Sequence, residues 1–198
     1  MSVEGPDRAD VAAVERQLGR RPRDMVGVAH RCACGSPDVV RTAPRLADGT
    51  PFPTTFYATC PRLTGAVSTL ESSGLMRRLS DRLSADEQLA ARYAAAHRDY
   101  LRRREEIGEV VEIAQVSAGG MPSRVKCLHA LVAHSLAAGP GVNPLGDEAL
   151  ALLAPWWGGG PCVSMDRAAP DQAGREQAVP PSRPEEPGTS QHQQGGRG

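Results

Sequence analysis

Five cysteines, at positions 32, 34, 60, 127 and 162, are the residues of this chain best suited to chemistry. They stand in the contexts Cys32-Ala33-Cys34, Thr59-Cys60-Pro61, Lys126-Cys127-Leu128-His129 and Pro161-Cys162. Cys32, Cys34, Cys60 and Cys127 each fall at the edge of an expected element: a turn, a helix start, and the first turns of a later helix. Thiolates that converge from such places can bind zinc in a tetrahedron or hold an iron-sulfur cluster. The spacing is not that of two Cys-x2-Cys knuckles. A Cys-x-Cys pair in a regular strand would also hold its sulfurs farther apart than the roughly 3.8 Å of two thiolates on one zinc, so a turn at Ala33 is required.

Two other readings compete for these thiols. Free cysteine packs as a small apolar side chain, and any of the four can be plain core. Cys60 at a helix N-terminus, beside Arg62, can instead be a redox or nucleophilic thiol with His129 or His134 as its base.

The histidines sort by helical geometry. On a helix opening at Ser123, His134 lies about 20° around from Cys127 but two turns along, and His129 about 200° around, so neither shares a metal with Cys127 easily. His134 is expected to support the site from behind the ligands. His30, two residues before Cys32, and His129 are alternative ligands. Lys126 is the only lysine in the chain. With Arg124 at a helix start it could hold a small anion; the competing reading is that both are surface residues.

The elements that must position these groups follow from periodicity. Val11, Val14 and Leu18 predict a short helix in an N-terminal arm, residues 1–24, stopped by Gly19. Met25 to His30, Val39 to Thr42 and Thr54 to Thr59 predict three strands, the first two joined by the Gly35-Ser36-Pro37 turn. Pro61 opens a helix that Gly74 stops, and Leu75, Leu79 and Leu83 continue as a second. Ser84-Ala85-Asp86-Glu87 reads as a capping box before a long helix reaching toward Glu112. Ser123 to Ala138 and Asp147 to Leu153 predict the last two helices. The fold class is α+β: a small antiparallel sheet of about three strands packed with four to five helices as one domain over residues 25–157. Residues 158–198, rich in Gly and Pro, are expected to be a disordered tail that carries Cys162.

Composition limits the partners. The chain has 198 residues, with 23 basic and 23 acidic side chains. Zero formal charge argues against nucleic acid, and the scarcity of aromatic residues argues against base stacking. No apolar run approaches the roughly 20 residues of a membrane span, and the polar N-terminus lacks a signal-peptide layout, so a cytoplasmic setting is expected. A small anion or a protein, neither identified, is then the partner expected, and an interaction protein without site chemistry stands as a further alternative.

Three stretches carry a resemblance. Pro51-Phe52-Pro53-Thr54-Thr55-Phe56-Tyr57-Ala58-Thr59-Cys60-Pro61-Arg62-Leu63, then Met121 through His134, then Asn143-Pro144-Leu145-Gly146-Asp147 resemble the bacterial domain of unknown function family 501, common in actinobacteria. The likeness covers roughly Val14 to Leu153. It implies that Cys32, Cys60 and Cys127 belong to the family's pattern, with Lys126, His129 and His134 in the same motif. Relatives can carry another residue at Cys34, which leaves room for a three-cysteine site completed by histidine, water or substrate. The resemblance implies no reaction.

Overall fold

The computed structural model of the chain describes residues 5–163. Three strands, β1 (Met25–Arg31), β2 (Pro37–Thr42) and β3 (Phe56–Ala58), form an antiparallel sheet in the order β1-β2-β3. Six helices accompany it: α1 (Arg8–Leu18), α2 (Pro61–Ser72), α3 (Leu75–Ala85), α4 (Glu87–Glu105), α5 (Leu128–Ala138) and α6 (Pro144–Ala151). The class is α+β, with the expected sheet, the expected helix in the N-terminal arm and five further helices, at the upper end of the four to five expected.

The β1-β2 connection is a tight turn over Cys32 to Ser36. The Cys32 N–H donates to the Ser36 carbonyl at 3.0 Å and the Gly35 N–H to the Cys32 carbonyl at 2.8 Å. Gly35 takes φ +86°, which only glycine adopts cheaply. This turn takes the Cys-x-Cys pair out of strand geometry. Pro37 through Val40 are all buried, because β2 is covered by α1 and α5. Helix α1 is fastened there by Gln17 Nε2 donating to the Pro37 carbonyl at 2.7 Å and by a two-pronged Arg31–Asp10 pair at 2.7 Å per bond.

Two helix boundaries differ from expectation for identifiable reasons. The cap of α4 is Asp86, whose Oδ1 accepts from the Leu89 N–H at 2.9 Å, whereas Ser84 stays inside α3 and donates back to the Ser80 carbonyl at 3.2 Å. An aspartate nearer the helix outcompetes the serine. Helix α4 also stops at Glu105 rather than Glu112. The chain then folds so that buried Arg104 donates to the carbonyls of Ile113 at 2.6 Å, Ala114 at 3.4 Å and Val116.

Helix α5 begins at Leu128, not Ser123. The preceding residues are pinned as a loop: Lys126 N–H to the Gly119 carbonyl at 2.7 Å, Arg124 N–H to the Gly120 carbonyl at 3.1 Å, and Val125 N–H to Ser80 Oγ at 3.1 Å. From there α5 is the central helix, with Leu128, Leu131, Val132, Ala133 and His134 buried against β3, α2 and α6. Asn143 caps α6, accepting from the Gly146 N–H at 3.0 Å. Gly146 is pressed so close to α5 that a Cβ there would stand 2.3 Å from the Leu131 carbonyl oxygen.

Of the tail expected from residue 158, residues 158–163 are described: Arg62 Nη1 donates to the Gly160 carbonyl at 2.7 Å, and Cys162 is buried in the core. The rest of that expected tail, residues 164–198, lies outside the described residues. Among the described residues no helix is long and apolar enough to cross a membrane.

Candidate functional site

Three separate pieces of chain deliver four sulfurs to one place. The turn after β1 supplies Cys32 and Cys34. Cys60, the residue capping α2 with Pro61 behind it, supplies the third. The segment after α6 supplies Cys162, which meets Cys60 Sγ at 3.1 Å, Cys34 Sγ at 3.4 Å and Cys32 Sγ at 3.6 Å. Cys32, Cys34 and Cys162 have all their sulfurs within 4.8 Å of one another. Cys32, Cys60 and Cys162 are buried and Cys34 is half-buried.

The triad Cys32, Cys34 and Cys162 is close enough to hold a soft, small cation, and Cys60 adjoins it through Cys162 at 3.1 Å without being within 4.8 Å of all three. The 3.1–3.6 Å contacts at Cys162 approach the roughly 3.8 Å edge of a zinc-thiolate tetrahedron. Thiols so crowded cannot all ionise without a compensating charge. Accordingly, burial pushes the Cys32 and Cys162 thiols up. Burial acts the same way on Cys34, but the N–H groups of Cys162 and Ser36 and the neighbouring thiols outweigh it and hold Cys34 down to about 6.

Cys127, expected as a ligand together with Cys32, Cys60 and Cys34, lies apart from this group. Like Cys60 it caps a helix, α5, but its sulfur lies with Glu71 and His129, one ligand atom from each within 4.8 Å of the others. His129 Nδ1 stands 3.2 Å from Glu71 Oε1, and its Nε2 stands 3.1 Å from the Thr64 carbonyl and 3.4 Å from Ser68 Oγ. Both ring nitrogens thus face acceptors, which the doubly protonated ring satisfies. The bond with Cys127 contributes most to raising His129 to about 9, against burial and with help from the Glu71 charge. Glu71 is itself fixed by the Leu128 N–H at 2.6 Å.

The other expected site residues are engaged elsewhere. His30 Nδ1 bonds Asp38 Oδ1 at 2.7 Å. His134 is fully buried, with Nε2 on Asp99 Oδ1 at 3.1 Å and Nδ1 facing Asn143 Nδ2 at 3.2 Å, and its ring stacks on Phe56. Burial lowers its basicity. Neither histidine offered as a base for Cys60 has a free nitrogen for it. Arg124 and Lys126 are both exposed and sit in the loop ahead of α5, not in its first turn, so the helix-start argument for an anion does not apply to them.

A family profile described as "Protein of unknown function (DUF501)" matches residues 28–151. The chain belongs to this family. No curated protein and no solved structure matches the chain. Within this DUF501 protein, Cys32, Cys34 and Cys60 lie inside the matched span and Cys162 beyond it. Sequence reasoning missed Cys162 and Glu71. The Trp156-Trp157 pair just before Cys162 was the available signal, since Trp156 packs against the core and brings the chain back.

Proposed function

We propose that this protein binds one zinc ion through Cys32, Cys34, Cys60 and Cys162, and that the ion is structural. The observation that carries the reading is the position of Cys162, whose sulfur touches all three others at 3.1–3.6 Å. A single ion brings thiolates to this spacing. An iron-sulfur cluster, being several atoms wide, holds them farther apart, so zinc is favoured over the cluster. Four protein ligands leave no open position for substrate, which is the mark of a structural site. The ion would tie the β1-β2 turn, the start of α2 and the segment after α6 into one clamp over the core.

Purification without added metal, followed by elemental analysis and thiol counting, tests this. The expected result is one zinc per chain, four thiols protected until a chelator is added, and no visible absorption. A folded protein without stoichiometric metal refutes it, and a brown protein with several irons refutes the choice of zinc.

A further inference from the structure

Cys127 and His129 open onto a cavity that the zinc clamp does not use. It measures about 600 Å³ and lies between β3, the start of α2 and the start of α5. Its wall includes Phe56, Tyr57, Thr59, Thr64, Cys127 and His129. Such a volume suits a small organic ligand. One feature of the wall points to a reactive one. The thiol stands beside a ring whose two nitrogens face Glu71 and Thr64 acceptors, so the ring is held as a cation next to the sulfur.

We propose that Cys127 is a nucleophile acting on small acyl esters or thioesters bound in this cavity. The substrate class follows from the wall, which is mostly aliphatic, aromatic and hydroxyl-bearing, with His129 its only basic side chain and no carboxylate. It suits an uncharged or singly anionic compound with an apolar body. The Cys127 thiolate attacks the acyl carbon and a C–S bond forms. The bond to the leaving oxygen or sulfur breaks, and that atom departs with its electron pair and takes a proton from a water in the open cavity, while His129 stays protonated between Glu71 and Thr64. The hydroxide left from that water adds to the thioester, and the acid leaves as the thiolate is regenerated. Glu71 is a positioning residue that holds the His129 ring.

The test uses the full-length, metal-loaded protein with p-nitrophenyl butyrate and, separately, iodoacetamide, the modified residue being mapped by mass spectrometry. At pH 6.5 an ordinary thiol is about 1% ionised, whereas one paired with an imidazolium is largely thiolate. Butyryl transfer to Cys127 with release of p-nitrophenolate is expected. His129→Gln should slow both labelling reactions at Cys127 about tenfold or more, after allowing for the weaker intrinsic nucleophilicity of a low-pKa thiolate. Glu71→Gln should give a smaller loss. Unchanged Cys127 labelling in His129→Gln, or acylation scattered over other residues, overturns the proposal. So does Cys127→Ser lowering the zinc content, which would make Cys127, His129 and Glu71 a metal site. If His129→Gln fails to fold, the pH dependence of Cys127 alkylation in the unaltered protein decides: a midpoint near 8.5 overturns it.

Discussion

Replacing Cys162 with serine is the sharpest test of the metal clamp, because this residue alone touches each of the other three sulfurs. Structural zinc in small domains binds with an apparent 10–16 kcal/mol, so one ligand in four is worth about 3 kcal/mol, or two to three orders of magnitude in affinity. A protein holding zinc at a hundredfold excess over its dissociation constant gains about 2.7 kcal/mol of stability. For a domain of this size that corresponds to roughly 5–10 °C in Tm. Melts with and without a strong chelator, run beside a competition titration with a chromophoric zinc indicator, read both quantities. The unaltered protein should lose its several degrees on chelation. Cys162→Ser should start near the lower value and respond little. The segment carrying Cys162 keeps a second anchor, Arg62 to the Gly160 carbonyl, so the variant should not unfold for want of that contact alone. Cys127→Ser is the control and should bind zinc like the parent. Equal zinc affinity in Cys162→Ser and the parent would refute the four-sulfur assignment, and equal loss in both cysteine variants would refute the division between the two thiol groups.

Other consequences concern the frame around the sites. Gly146→Ala should destabilise by about 3 kcal/mol or more in urea titration, since its Cβ meets the Leu131 carbonyl oxygen at 2.3 Å and Ser135 Oγ at 2.4 Å, and backbone must move. Arg104→Met should cost about 2–4 kcal/mol by the same measurement, because the carbonyls of Ile113, Ala114 and Val116 would lose their donor. His129, raised to about 9, lends stability that is complete below its unfolded value near 6.5 and fades as pH rises through about 9. The stability gap between the parent and His129→Gln should therefore be largest near pH 6 and close above pH 9; a gap that widens with pH contradicts the pairing of a protonated His129 with Glu71.

Element types were legible wherever a local signal stood alone. Pro61 and the Leu63, Val67 spacing yielded α2, and Gly19 at φ +66° stops α1 where the apolar pattern ends. Boundaries went astray where a distant partner decided them. The loop before α5 exists because Ser80 and the carbonyls of Gly119 and Gly120 hold its N–H groups, none of which helical periodicity can reveal. That shift of five residues also changed the site. An angular calculation on a helix from Ser123 treats Cys127 and His129 as far sides of one cylinder, whereas Cys127 is the extended residue before the helix, with φ −154° and ψ 115°. Its sulfur is then free to turn toward His129.

Cys60 and Cys127 are thus the same kind of residue in local terms, each the extended residue at a helix start, and α2 and α5 pack on each other. Local sequence cannot assign them different chemistry; their neighbours do. Cys60 meets the Cys162 thiol, which in turn meets those of Cys32 and Cys34, a setting in which only a cation makes several thiolates compatible. Cys127 faces an imidazole held between Glu71 and Thr64 beside an open cavity. The first arrangement closes a site and the second leaves one open. The five cysteines divide accordingly, four sulfurs meeting through Cys162 and Cys127 lying apart with Glu71 and His129.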